Sequence, residues 1–429
     1  MCLKCIYLLY AIHLSRFVLL FLYPCSGQAA GLALADFDDQ CWCCKRSRVA
    51  ALGAYQWHTW GKHMRRLFAV VVGILLAFMT WPAFAVSVVF INPGKSGEAY
   101  WVAAADSMRA ASRSLGVDLE VKFAERDQLR VLSAAQEIAA RPKADRPHYV
   151  IITNDYGLGP KLLSIFEGTG IQCFFAYSPP TVADQATLGK PRQIHKHWLG
   201  SLQPRAADAG YLTAQALIAK GRAAKAHGAD GKLHMLAIAG DRSTPVSIHR
   251  NEGMQRAIRE AGDVVLDQVI YSDWNREKAQ QQSAVLFERY PLARLIWAGS
   301  DQMAFGAMTS WERRGGQPGQ NAWFSGVNTS TEAMEAVKSG RLSALAGGQF
   351  IVGAWALVMI YDHASGRDFA DEGLDLDRPM FVLFDARAAD RFLARFGDGK
   401  YDSLDFKKYS KALNPGLKHY DFSFEQLIR

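Results

Sequence analysis

The chain has little cysteine where a disulfide scaffold would need it. Seven cysteines occur in 429 residues, but Cys2, Cys5, Cys25, Cys41, Cys43 and Cys44 crowd the start, and the long remainder holds only Cys173. That scarcity excludes a disulfide framework for the main body, which must rest on an apolar core. Catalytic signatures are missing too. Beyond residue 85 there is no G-x-S-x-G, H-E-x-x-H, Walker loop or C-x-x-C, so no particular reaction is indicated. The run Gly157-Leu158-Gly159 has Leu162 where a dinucleotide loop carries its third glycine. No Lys/Arg block or aromatic-interleaved basic stripe offers itself to nucleic acid. The formal charge of +8 is partly a property of the leader: eight of the 49 basic and three of the 41 acidic residues precede Val86, which leaves +3 for the rest.

What is present begins with an export signal inside the chain. Residues 64–85 comprise Met64-Arg65-Arg66, an apolar stretch over 67–79, and Ala83-Phe84-Ala85. The stretch has the length of a signal-peptide core and is too short to span a bilayer, and the small residues suit a signal peptidase. It predicts cleavage after Ala85 and a periplasmic location of the Gram-negative type. Residues 1–63 then stand ahead of the natural start of such a signal, and a mis-assigned start is expected for them. Cys41, Cys43 and Cys44 cluster, but no paired histidine motif follows to complete a metal site. An apolar segment over 6–23 is interrupted by His13 and Arg16.

From residue 86 onward, β-rich runs alternate with stretches of helical period, the pattern of βαβ units around parallel sheets. Strands are predicted at 86–91, 119–123, 149–153 and 173–176, with helices at 100–115, 129–141, 159–168 and 205–220. After a polar connector at 221–231 the alternation restarts, with strands at 233–239, 264–271, 295–297, 323–326 and 343–346. Helices are predicted at 247–261, 276–290, 301–314, 332–338 and 353–364. The expected fold is α/β, two Rossmann-like lobes with parallel sheets. Residues 86–227 plus 350–384 form the first lobe, and 228–349 plus 385–429 form the second lobe and tail.

Open parallel sheets bind ligands where strands end and helices begin. Aromatic and hydrogen-bonding residues gather there: Ser96, Glu98, Tyr100 and Trp101 after the first strand, and Tyr177 and Ser178 after the fourth. Arg250, Trp274, Ser300, Asp301 and Asn328 occupy such junctions in the second lobe. Flat aromatic faces beside charged and amide groups hold sugars and similar polar rings. Tyr100 could equally pack in the core, and Asp301 could cap its helix. His195 and His197 sit in a polar loop and are expected to be solvent-exposed. No catalytic residue, cofactor or metal is expected.

The run 88–94 with Tyr100-Trp101, the run His249-Arg250-Asn251-Glu252-Gly253-Met254, the run 298–307 and Gly326-Val327-Asn328 together resemble periplasmic type I solute-binding proteins of the ribose-binding class. The resemblance spans 86–384. It implies two lobes joined by a three-crossing hinge, here near 221–231, Gln349 and Phe384, closing on a ligand in the cleft. Gln349 joins the implied site, with Tyr100, Trp101, Arg250 and Trp274 at matching positions. Ser300, Asn328 and the pair Tyr177-Ser178 replace the family's Asn, Asp and Asp-Arg, which removes charged partners of pentose hydroxyls. The chain is also similar to the furanosyl-borate autoinducer receptor, although Val327 and Gly347 stand where that receptor has ligand-contacting residues.

The resemblance implies a monomeric binding protein that captures a small polar, carbohydrate-like ligand and delivers it to an inner-membrane ABC permease. The alternative is the ligand-binding subunit of a sensor kinase. A repressor of the same fold would need a helix-turn-helix ahead of it, and residues 1–63 show no such pattern.

Overall fold

The computed structural model describes residues 86–428, so the expected leader and signal segment, 1–63 and 64–85, lie outside the described residues. No described helix is long and apolar enough to cross a membrane.

Two six-stranded sheets organise the molecule. The first joins β1 (Ser87–Asn92), β2 (Asp118–Phe123), β3 (Tyr149–Ile152), β4 (Gln172–Ala176), β5 (Trp198–Pro204) and β11 (Asp375–Arg378) in the order β11-β5-β4-β3-β1-β2, all parallel. The second joins β6 (Leu233–Ala239), β7 (Val264–Tyr271), β8 (Leu295–Ala298), β9 (Trp323–Val327), β10 (Ala344–Gly347) and β12 (Val382–Leu383) in the order β12-β10-β9-β8-β6-β7; only β12 runs antiparallel. Strands such as β3 and β8 are buried along their whole length because helices cover both faces.

The helices begin where the sequence supplies caps. Asp127 accepts from the backbone of Leu129 and Arg130 at the start of α2 (Gln128–Ala140), and Asn275 accepts from Lys278 N at the start of α7 (Arg276–Arg289). Ser300 and Ser330 do the same for α8 (Asp301–Arg313) and α9 (Thr331–Lys338). In the first lobe, α1 (Ala99–Leu115), α3 (Gly159–Phe166) and α4 (Val182–Leu188) complete the alternation. α10 (Val352–Ala364) is apolar all round and buried because it lies between α1 and the first sheet.

The first crossing is not at 221–231, as the sequence suggests, but at Arg205, immediately after β5. α5 (Ala206–Ala223) already belongs to the second lobe: Ala214, Leu217 and Ile218 pack with Leu233, Met235, Leu295 and Trp297, and Thr213 Oγ1 accepts from Trp297 Nε1 at 2.9 Å. The polar connector is a surface turn within that lobe. β5 escapes sequence reading because Gly200 and Pro204 interrupt its pattern; Gly200 is required there, since a Cβ would stand 2.6 Å from the Leu374 carbonyl oxygen.

The second crossing lies at Gly348-Gln349, and the third between β11 and β12, at 379–381. The tail does not stay with the second lobe. α11 (Ala386–Phe396) packs on α9, but residues 406–409 pack on α1 and α10, and Phe422 stacks on Trp355 at 5.2 Å. The chain thus returns to the first lobe, and α12 (Phe424–Leu427) brings Phe424 against Phe350 and Phe384 beside the hinge.

α5 crosses α6 (Pro245–Ala261) at very close range. A Cβ on Gly253 would stand 1.9 Å from the Ala207 carbonyl oxygen, in rigid helix backbone. Gly253→Ala is expected to lower stability by about 2 kcal/mol in urea unfolding, because overpacking costs roughly 1–3 kcal/mol and outweighs the ~0.5–1 kcal/mol gained in helix propensity.

Candidate functional site

One cavity of about 680 Å³, counting its mouth, opens at the carboxyl ends of both sheets. Its walls come from the segments after successive strands: Glu98 to Trp101 follow β1, Arg126 follows β2, Asp155 follows β3, and Tyr177 and Ser178 follow β4. From the second lobe, Thr244, Val246 and Arg250 follow β6, Trp274 follows β7, Ser300, Asp301 and Gln302 follow β8, and Asn328 follows β9. Pro204 and Gln349 line it from the hinge. Parallel strands end together here, so helix N-termini and loop side chains converge on one space.

Eleven of the twelve residues singled out in the sequence lie around this cavity. Ser96 does not: it is exposed, and its backbone N–H donates to Glu125 Oε1 at 2.9 Å. Its neighbour Glu98 is turned inward instead, held by Arg126, whose Nε donates to Glu98 Oε2 at 2.9 Å while Nη2 bonds the other oxygen.

The guanidinium of Arg126 lies 6.0 Å from the Trp101 ring and 6.0 Å from the Trp274 ring, so a single cation faces indoles from opposite lobes. Trp101 packs edge-on against Tyr100 at 4.9 Å and Tyr177 at 5.3 Å. Tyr177 in turn donates to the Phe350 carbonyl at 3.1 Å, which ties this wall to the hinge.

On the facing wall, Trp274 Nε1 donates to Asp241 Oδ2 at 2.8 Å, which fixes the plane of the indole, and Arg250 stands 5.7 Å from that ring. Asp301 accepts from Asn328 Nδ2 at 2.9 Å, Ser330 Oγ at 2.5 Å and Gln302 N at 2.8 Å, and Gln349 Nε2 donates to Asn328 Oδ1 at 2.7 Å. Asp301 is thus both a helix-start residue and the centre of a polar network.

Several buried polar atoms at the cavity have no protein partner: Trp101 Nε1, Ser178 Oγ, Arg250 Nε and Gln349 Oε1. Leaving such groups unpaired costs about 1–3 kcal/mol each, which a hydroxylated guest could recover. Arg126, Tyr177, Trp274 and Asn328 also hold positive φ, a conformation that costs energy in non-glycine residues and concentrates at functional sites.

Electrostatically the cavity is close to balanced, with Arg126 and Arg250 against Glu98, Asp155 and Asp301. Burial holds Arg250 down at about 10, against the raising influence of Tyr100 and Asp301. Burial likewise raises the Asp301 carboxyl above its usual range, despite its hydrogen bonds, and pushes Asp155 up to about 6, opposed by Arg126.

The Asp155 shift carries a pH signature. A carboxyl raised in the folded state contributes stability that is complete below its unfolded value, ~3.9, and is lost as pH rises through about 6. Asp155→Asn is therefore expected to gain on the wild type by about 2–3 kcal/mol between pH 4 and pH 7 in urea unfolding. A constant difference across that range would contradict the assignment.

Arg126, Asp155, Thr244, Val246, Pro204 and Gln302 were not legible as site residues. Arg126 and Asp155 sit at the same kind of strand end as the others, and that position was the signal to follow.

A second feature departs from expectation. His195 and His197 are not free in solvent: their side chains are 18 % and 9 % exposed, and both face Glu167.

A search of curated proteins finds no match to the sequence. The family described as periplasmic binding protein domain matches residues 200–368. Among solved structures, a periplasmic sugar-binding protein from Pseudomonas fluorescens is 36% identical, covers 80% of this chain and 100% of its own, and superposes with a TM-score of 0.72. The binding component of the arabinose ABC transporter of Shewanella sp. ANA-3, bound to L-arabinofuranose, is 17% identical, with coverage of 78% and 100% and a TM-score of 0.60. An ABC transporter solute-binding protein from Actinobacillus succinogenes 130z with bound D-allose is 18% identical, with coverage of 71% and 99% and a TM-score of 0.60. Sequence, topology and cleft agree: the chain belongs to the type I periplasmic binding proteins, the ribose-binding-like family.

Proposed function

We propose that the chain captures a small, neutral, polyhydroxylated ligand of the carbohydrate class between its lobes and delivers it to an inner-membrane ABC importer. The observation that carries this reading is the pair of indoles, Trp101 and Trp274, presented from opposite lobes beside guanidinium and amide groups with unpaired donors and acceptors. Ring faces suit the C–H surfaces of a sugar, and the unpaired groups suit its hydroxyls. The balanced charge of the cavity favours a neutral guest.

Ligand contacts with both walls stabilise the closed arrangement over any open one by their differential affinity, which gives a permease a state to recognise. The protein acts by binding, without turnover. The Pseudomonas relative is described as sugar-binding, and the Shewanella and Actinobacillus proteins as parts of ABC transporters, which supports the same reading here.

Export through the 64–85 signal completes the proposal. Mass spectrometry of the exported protein is expected to find a mature N-terminus at Val86; retention of residues upstream would contradict the signal assignment. Delivery is tested by uptake. Cells lacking the chain should lose accumulation of the radiolabelled sugar that raises its melting temperature most. Unchanged accumulation would refute importer delivery and favour a sensory role.

A further inference from the structure

At the opposite pole of the first lobe from the cleft, Glu167, His195 and His197 each turn one ligand-type atom toward the others, all within 4.8 Å. Glu167 ends α3, and the histidines precede β5, so the trio sits at the amino ends of β4 and β5. The cleft lies at their carboxyl ends, roughly 20 Å away along a seven-residue strand. Among the described residues this is the one such group of three or more.

The geometry points further than an ion pair. His197 Nε2 lies 2.9 Å from the Leu163 carbonyl oxygen. A carbonyl only accepts, so Nε2 carries the proton and Nδ1 is the nitrogen left to coordinate. That Nδ1 lies 3.4 Å from Glu167 Oε2, and His195 Nδ1 lies 2.9 Å from the same oxygen. In that tautomer a ring lone pair of His197 and an oxygen of Glu167 face each other, and a cation between them would bind both.

A ring N–H held by a backbone carbonyl is also the usual support of a metal-ligating histidine. The scaffold is rigid: Cys173 N donates to the His197 carbonyl at 2.7 Å, Trp198 N donates to the His195 carbonyl at 3.0 Å, and the two imidazoles stand at 86°. With zinc–nitrogen bonds of about 2.0–2.1 Å, ligand atoms arranged tetrahedrally stand about 3.4 Å apart. Glu167 Oε2 already stands near that spacing from both Nδ1 atoms, at 2.9 and 3.4 Å, and the two imidazoles, whose ligand atoms lie within 4.8 Å, would close on the ion from either side.

We propose that Glu167, His195 and His197 form a binding site for a divalent transition metal ion of the zinc, nickel or copper class, with water completing the coordination. Two imidazoles and one carboxylate suit these ions better than magnesium or calcium. The ion would fasten the loop before β5 to the end of α3. It acts independently of the cleft.

Calorimetric titration of the full chain with zinc chloride tests this. The double variant His195→Ala/His197→Ala should bind one equivalent fewer per chain than the wild type, and Glu167→Gln, which alters only an exposed side chain, should weaken that site at least about 10-fold. Comparison within one background cancels ions bound elsewhere, including by the upstream cysteines. Copper(II) loading should add an electron-paramagnetic signal coupled to two imidazole nitrogens, which the conservative His195→Gln reduces to one. Equal zinc stoichiometry and affinity in the wild type, the double variant and Glu167→Gln would overturn the proposal, as would a copper signal unchanged by His195→Gln.

Discussion

Arg250→Ala is expected to weaken ligand binding about 100-fold, and Trp274→Ala about 10- to 100-fold, with both proteins still folded. Arg250 is 5% exposed, its Nη1 donates to the Gly299 carbonyl at 2.6 Å, and its Nε is unpaired. The guanidinium is therefore positioned by the protein and still has a donor for the guest, and a hydrogen bond from a charged group contributes about 1.5–3 kcal/mol. Trp274 is held by Asp241 on one edge and lies over Gly240, where a Cβ would come within 2.2 Å of the ring. Its loss removes a stacking face fixed before the ligand arrives. Calorimetry with the best sugar from a thermal-shift screen reads both effects, and affinity within about twofold of wild type in either variant would reject that residue's role.

The second large effect lies in the tail. Asp362 on α10 is fully buried and accepts from Ser410 Oγ, from Lys411 N at 2.7 Å, from Ala412 N at 3.1 Å and from Tyr420 Oη at 2.9 Å. The side chain of Lys411, also fully buried, reaches Glu372 at 2.6 Å and Asp371 at 3.1 Å. Asp362→Ala removes the acceptor of four donors at once and leaves them in a dry interior. The expected loss is about 3–5 kcal/mol in urea unfolding, with limited proteolysis cutting the tail before either lobe. A loss below about 1 kcal/mol with an intact tail would show that contacts other than those of Asp362 hold the tail.

The same tail shows where sequence reading stops. Apart from α4 and β5, the alternation of strands and helices between 86 and 364 was legible because hydrophobic period and capping residues are local properties: Asp127, Asn275, Ser300 and Ser330 mark helix starts where they stand. Most of the candidate site residues were legible for a related reason, since parallel sheets place their ligands at strand ends. What was hidden depends on distant partners. β11 and β12 are short edge strands defined by pairing with β5 and β10, far away in sequence. The return of the tail to the first lobe depends on Asp362 and Trp355, which carry no local mark of that role. The crossing at Arg205 was missed because α5 reads the same whichever lobe it covers, and its packing on Leu233, Leu295 and Trp297, with Thr213 bonded to Trp297, assigns it. His195 and His197 looked like solvent-facing polar residues until Glu167, 28 residues away from His195, was brought beside them.

In the proposed mode of action one guest molecule is held between the two indole-bearing walls. Calorimetric titration of the wild-type chain with a panel of furanoses, pyranoses and polyols tests it most directly. At least one of them is expected to bind saturably with one equivalent per chain, and this heat is expected to disappear in the Trp101→Ala/Arg250→Ala double variant, which removes one contact from each wall. Saturable binding that survives in that variant, or no saturable binding to the wild type by any member of the panel, would contradict it.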